Sequence, residues 1–126
     1  MDNIKTIKSL SWMGNSRKSL KEFPREVQQV LGFSLYRAQL GSKPLQAKPL
    51  KGFSDSGVLE IVEDRDGDTY RAIYTVRFAE RIYVLHAFQK KSKQGIKPPK
   101  SDIDLIKQRL KAAESDYRER KRAEGD

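Results

Sequence analysis

The chemically suggestive residues of this chain are cations and one aromatic ring, gathered where an apolar stretch ends. In VLHAFQKKSKQGIKPPKSD (84–102) a predicted strand carrying His86 and Phe88 gives way to Lys90, Lys91 and Lys93 and stops at two prolines. Two-residue alternation puts His86, Phe88 and Lys90 on one face. If residues 78–81 connect this strand to TYRAIYTVR (69–77), Arg71 lies opposite Phe88 and Arg77 opposite Ile82, so Arg71, Ile73, Thr75 and Arg77 share that face. Lys48 and Lys51, in the loop before the preceding strand, are placed to close over the sheet edge. Lysine and arginine neutralise phosphates, an arginine reaches two phosphate oxygens at once, and a ring stacks a base for ~1–3 kcal/mol. The expected feature is a concave basic surface suited to single-stranded nucleic acid. The plainer alternatives are a buried Phe88 and lysines that merely protect a strand end.

Other chemistry has less support. His86 has the intrinsic acidity of a proton-transfer group, but a lone histidine in an apolar strand is more often a packing residue. Glu60 is a second candidate base, although its place in LEIVE reads equally well as the solvent side of an edge strand. With one histidine, no cysteine and scattered carboxylates, no metal-ligand set is recognisable. No glycine-rich phosphate loop appears, and no cofactor is expected.

The elements that must position these residues follow from patterning. The chain has 126 residues, enough for one domain with a real core and too few for two. Lys plus Arg outnumber Asp plus Glu by 26 to 17, a net charge of +9 that favours a polyanionic partner. The absence of cysteine suits a reducing compartment, and no apolar run is long enough for a signal peptide or a membrane span, so a cytoplasmic location is expected.

Residues 4–12 read as a strand ending at Trp12, and Arg17 to Phe23 as a short helix. Pro24 suits the first position of a second helix. Val27, Val30, Leu31, Ser34 and Ala38 form its apolar face, with Phe33 and Leu40 at the margins and Gly41 as its stop. No unused apolar stripe stands out. SKPLQAKPLKGFSDSG (42–57) reads as an irregular crossing loop. VLEIVE (58–63), TYRAIYTVR (69–77) and RIYVLHAFQ (81–89) form an antiparallel meander joined by DRDGD and FAE. Ser101 and Asp104 have capping-box spacing, and Ile103, Ile106, Leu110, Ala113 and Tyr117 mark a closing helix whose end, from about residue 117 to 126, is expected to fray. The expected fold is α+β, in the order β-α-α-β-β-β-α, as a single domain over 1–126.

The ordered set PLKGF (49–53), GVLEI (57–61), YRAIY (70–74) and LHAFQKKSKQGIKPPKSDIDLIKQRL (85–110), preceded by WMGNSRKSLKEFP (12–24), resembles the phage-derived-like HigB branch of the RelE-like toxins across nearly the whole chain. That resemblance implies a RelE-like fold and the toxin of a toxin–antitoxin system. It also implies a ribosome-dependent mRNA interferase that cuts message in the A site by metal-independent attack of a ribose 2′-hydroxyl. The implied partners are a helix-turn-helix antitoxin of the HigA type, the ribosome and mRNA. Arg71 matches the family's strand arginine at the scissile phosphate, and Lys90 and Lys91 its basic pair, with Lys93 beside them. Lys51 lies where the family often has a basic residue, with Lys48 a weaker neighbour. Several relatives carry a tyrosine or histidine near the cut where this chain offers Phe88, which leaves the general base unassigned. The other reading is a basic binding module that cuts nothing, or a gyrase-directed toxin of the same superfamily. An antitoxin rich in carboxylates would be drawn to the basic surface and would either cover it or displace the closing helix.

Overall fold

Asp66 and Gly67 form a two-residue turn in which both residues have positive φ, 53° and 85°, the backbone that lets two right-twisted strands fold back directly on each other. This turn joins β3 (Val58–Arg65) to β4 (Asp68–Thr75), and β5 (Arg81–Lys90) completes the meander. The computed structural model describes residues 6–43, 46–53, 56–90 and 99–125. Ahead of the meander come β1 (Ser9–Trp12), α1 (Ser16–Lys21), α2 (Arg25–Gln39) and β2 (Ala47–Pro49), and α3 (Lys100–Glu124) closes the chain. The α+β class and the expected order stand, with β2 added inside the segment read as an irregular loop. Pro49 spoke against a strand there. β2 is the edge of the sheet, where a missing backbone N–H is tolerated.

The sheet has the order β1-β5-β4-β3-β2, with β1 parallel to β5 and the other neighbours antiparallel. Each face carries its own core. On one, Leu20 of α1 and Val27, Leu31 and Leu35 of α2 pack with Ile61, Tyr70, Ala72, Tyr74, Ile82 and Val84. On the other, Ile106, Leu110 and Ala113 of α3 pack with Leu50, Phe53, Val58, Ile73, Tyr83 and Leu85.

Four expectations about the helices need correction. The buried stripe of α2 is Val27, Leu31, Ser34, Leu35 and Ala38, whereas Phe33 is 61% exposed. At about 100° per residue Phe33 and Tyr36 point roughly opposite that stripe, and Leu35 takes the marginal place assigned to Phe33. Pro24 stands at the N-cap, one residue earlier than expected, and Gly41 lies just past the helix with φ of 89°. No side-chain cap forms at α3: Asp104 accepts a 3.0 Å hydrogen bond from Lys100 in place of the Ser101 capping box. The stretch expected to fray is helical through Glu124, with Arg120 bonded to Asp116 at 2.7 Å and Lys121 to Glu80 at 3.0 Å.

Candidate functional site

Strand register brings the candidate residues into a row across the α3 face of the sheet. Lys48 of β2 stands opposite Glu60 of β3; Arg71 of β4 is the diagonal neighbour of Glu60 and stands opposite Phe88 of β5; and Lys90 pairs with Thr69 two residues further on. Diagonal pairs across an antiparallel sheet are within reach of long side chains. Arg71 Nη1 donates to Glu60 Oε2 at 2.8 Å, with both side chains 4% exposed. Lys48 Nζ lies 3.9 Å from the other carboxylate oxygen and keeps its ammonium group largely in solvent. Glu60 is therefore buried one strand in from the edge, and its reading as an exposed edge residue is wrong. Two charges removed from water hold each other only with good geometry, and deleting one leaves the other uncompensated.

Lys51 is exposed in the turn between Leu50 and Phe53, whose side chains belong to the α3-side core, so the turn carries Lys51 on that side of the sheet. Lys90 is half-buried at the end of β5. Lys91 and Lys93 fall outside the described residues.

Arg77 does not join the row. The register expected from Arg71 and Phe88 is kept as far as Ile73 and His86, then shifts by one residue, so that Tyr74 pairs with Val84 and Thr75 with Tyr83. β4 stops there, Ile82 faces Leu10 of β1, and Arg77 donates to Glu114 of α3. Six residues of strand separate it from Arg71, about 20 Å. The β-bulge behind this shift turns both Leu85 and His86 toward α3. The carbonyl of Leu85 accepts from Arg109 Nη1 at 2.9 Å, and Arg109 Nη2 also donates to Asn15 at 3.0 Å. Burial lowers the pKa of Arg109.

His86 is consequently held between two partners. Its Nε2 lies 2.7 Å from Asp102 Oδ1, and with the carboxylate oxygen as acceptor Nε2–H donates. Its ring stacks on Phe88 with centroids 4.9 Å apart and planes 23° apart, while Nδ1 is buried without a hydrogen-bond partner among the described residues. Phe88 is half-buried and packs against the α3-side core. Asp102 escaped the sequence reading, and its only signal there was an acidic residue in the first turn of a helix.

The other end of α3 carries charge of a different kind. Tyr83 Oη donates to Asp116 at 2.7 Å, and burial and then that bond raise the tyrosine pKa. The bond from Tyr83, followed by that from Arg120, lowers the pKa of Asp116. Tyr74, on the opposite face, is pushed up to about 12 by burial alone. Among the described residues no group of three His, Asp or Glu is placed to hold a metal ion, and no helix is long and apolar enough to cross a membrane.

A family model described as Phage derived protein Gp49-like (DUF891) matches residues 18–111. The chain belongs to this family. The matched segment of this Gp49-like chain takes in the whole row from Lys48 to Lys90 together with His86 and Asp102, leaving β1 and the last turns of α3 outside. No curated protein matches the chain. Among solved structures it is similar to the toxin–antitoxin complex RelBE2 from Mycobacterium tuberculosis, at 18% identity over 72% of this chain and 100% of that one, with a TM-score of 0.45.

Proposed function

We propose that this Gp49-like chain is the toxin of a toxin–antitoxin pair and a ribosome-dependent, metal-independent mRNA interferase, held in check by a helix-turn-helix antitoxin. The observation that carries this reading is the row Lys48, Glu60, Arg71, Phe88 and Lys90 on one sheet face, which combines phosphate ligands, a carboxylate and a ring. The resemblance of its sequence motifs to the HigB branch supports it.

In the proposed reaction the ribose 2′-oxygen attacks the adjacent phosphorus, the bond to the 5′-oxygen breaks, and a 2′,3′-cyclic phosphate and a 5′-hydroxyl result. One proton leaves the 2′-hydroxyl and one is delivered to the departing oxygen. Arg71, with Lys90 and Lys91, stabilises the added charge on phosphorus, as oriented cations do in a water-poor site. Glu60 is the carboxylate beside Arg71 and accepts the first proton, since His86 is engaged by Asp102 and Phe88. A phosphate engages Arg71 by taking over part of its contact with Glu60. Phe88 stacks a base, Lys48 and Lys51 line the path of the backbone, and the motif resemblance adds Lys93 as a further phosphate ligand.

The burial of Arg71 favours a second reading, in which the arginine is structural and the face binds RNA or a partner without cutting. Inducing the chain in a bacterial host and mapping mRNA 5′ ends separates the two. New ends inside translated frames, lost in Arg71→Ala and in Lys90→Ala/Lys91→Ala, are expected for the interferase. Growth arrest without new ends would replace it with the binding reading.

A further inference from the structure

The side of α2 that faces away from the sheet is covered by none of the described residues. Phe33 is 61% and Tyr36 45% exposed, two of the four large apolar side chains that are most exposed among the described residues. Large rings left in water on one helix face are rare without a partner, because burying each is worth a few kcal/mol. Their setting is specific. Arg25, Gln29, Phe33 and Arg37 follow one another at four-residue spacing and so form a single ridge, with Tyr36 beside it; all are exposed. Gly32, one residue before Phe33 and one turn before Tyr36, flanks the rings, and an added Cβ there would meet nothing within 4 Å. A glycine inside a helix costs about 1 kcal/mol against alanine, and here its open side lets another backbone approach closely. Alongside runs a shallow groove of about 450 Å³ lined by Glu26, Gln29, Val30, Phe33, Ser34 and Gln46.

Charge indicates what fits. The two arginines bracket the aromatic pair twelve residues apart, about 18 Å along the axis. The one carboxylate of the groove, Glu26, is engaged by Arg65 at 3.7 Å. Arg17, Lys18 and Lys21 of the adjoining α1 are exposed as well. The complementary surface is apolar at its centre with carboxylates near both ends. This face lies across the sheet from the row containing Arg71 and Phe88.

We propose that the outer face of α2 is the docking surface for an acidic amphipathic helix of the antitoxin, with Phe33 and Tyr36 as its anchors and Arg25 and Arg37 as its end clamps. This rests on the toxin reading above and deepens it: the antitoxin grips the protein on the side away from the RNA face and leaves Arg71 uncovered. Aromatic anchors and bracketing arginines are the residue types that dominate binding energy at interfaces.

The test uses the full chain and the protein encoded by the adjacent reading frame, reading growth arrest and co-purification separately. Phe33→Glu/Tyr36→Glu is expected to arrest growth as the wild type does, to lose relief by the co-expressed neighbour, and to bind it about 30-fold or more weakly. Arg25→Glu/Arg37→Glu should behave likewise, with binding restored by lysines in place of the neighbour's acidic residues. Wild-type relief and binding in both variants would overturn the docking proposal while leaving the toxin reading intact. So would a wild-type dimer in sedimentation that Phe33→Glu dissolves, since the face would then belong to a second copy. If the wild-type chain does not arrest growth, the toxin reading fails, and an antitoxin surface with it.

Discussion

The two ends of the α3 face both carry ion pairs and hold them in opposite ways. At one end Glu60 and Arg71 form a pair sealed from solvent between neighbouring strands. At the other, Arg77 with Glu114 and Lys121 with Glu80 tie α3 to the meander, and Arg120 with Asp116 pairs within the helix, all through side chains that stay substantially in water. Exposed pairs are worth about 0–1 kcal/mol, while a buried pair costs desolvation on both sides and is replaceable by apolar residues with little loss. Burial at the first end therefore has no cheap structural reason, whereas the second end is ordinary fastening. On the proposed reading, the difference marks where charge is held for use.

The contrast is open to attack at several points. Glu60→Ala strands a buried guanidinium and is expected to lower unfolding free energy by about 3–5 kcal/mol in urea titrations. A loss below about 1 kcal/mol would erase the distinction between the two ends. Next comes Arg109→Ala, which removes the charged donor from the Leu85 carbonyl at the bulge. A loss of about 1.5–3 kcal/mol is expected, with a shift of the His86 ring signals in NMR spectra. Phe88→Ala should weaken binding of a short oligoribonucleotide, followed by fluorescence anisotropy, by about 5- to 150-fold.

Smaller effects belong to the far end. Asp116 has a depressed pKa when folded, so it binds fewer protons than in the unfolded chain near its titration range. Its contribution is fully present above the usual carboxylate range and is lost as pH falls through its folded value. Asp116→Asn should remove that contribution, lowering stability slightly at neutral pH and flattening the fall below about pH 4, where variant and wild type converge. Arg122→Ala, which breaks only an exposed pair within α3, should stay within about 0.5 kcal/mol of the wild type.

What was legible in the sequence tracks how local its causes are. The Asp66–Gly67 turn, the alternation of β3 to β5 and the apolar stripe of α3 depend on neighbours a few residues apart, and they form as expected. The pairing of Arg71 with Phe88 also forms, because both sit on the near side of the bulge. Arg77 stands outside the row because six residues, about 20 Å, separate it from Arg71 and it pairs with Glu114 of α3; the extra residue in β5 shifts only the cross-strand partners beyond it, and VLHAF carries no mark of it. β2 was hidden by Pro49, and Glu60 looked like an edge residue for want of that strand outside it. The long-range partner of His86, Asp102, and the exposure of Phe33 were set by packing between elements distant in sequence.

The most direct measurement is cleavage by the purified chain of an mRNA carried on translating ribosomes, with the same mRNA free in solution as control. The expected result is discrete cuts in the ribosome-bound message alone, ending in cyclic or 3′-phosphate. Those cuts should persist in chelator and be lost in Arg71→Lys, which keeps the charge but not the planar fork. Equal cutting by Arg71→Lys, or no cutting by the wild type, would contradict a catalytic role for the Glu60–Arg71 end of the sheet.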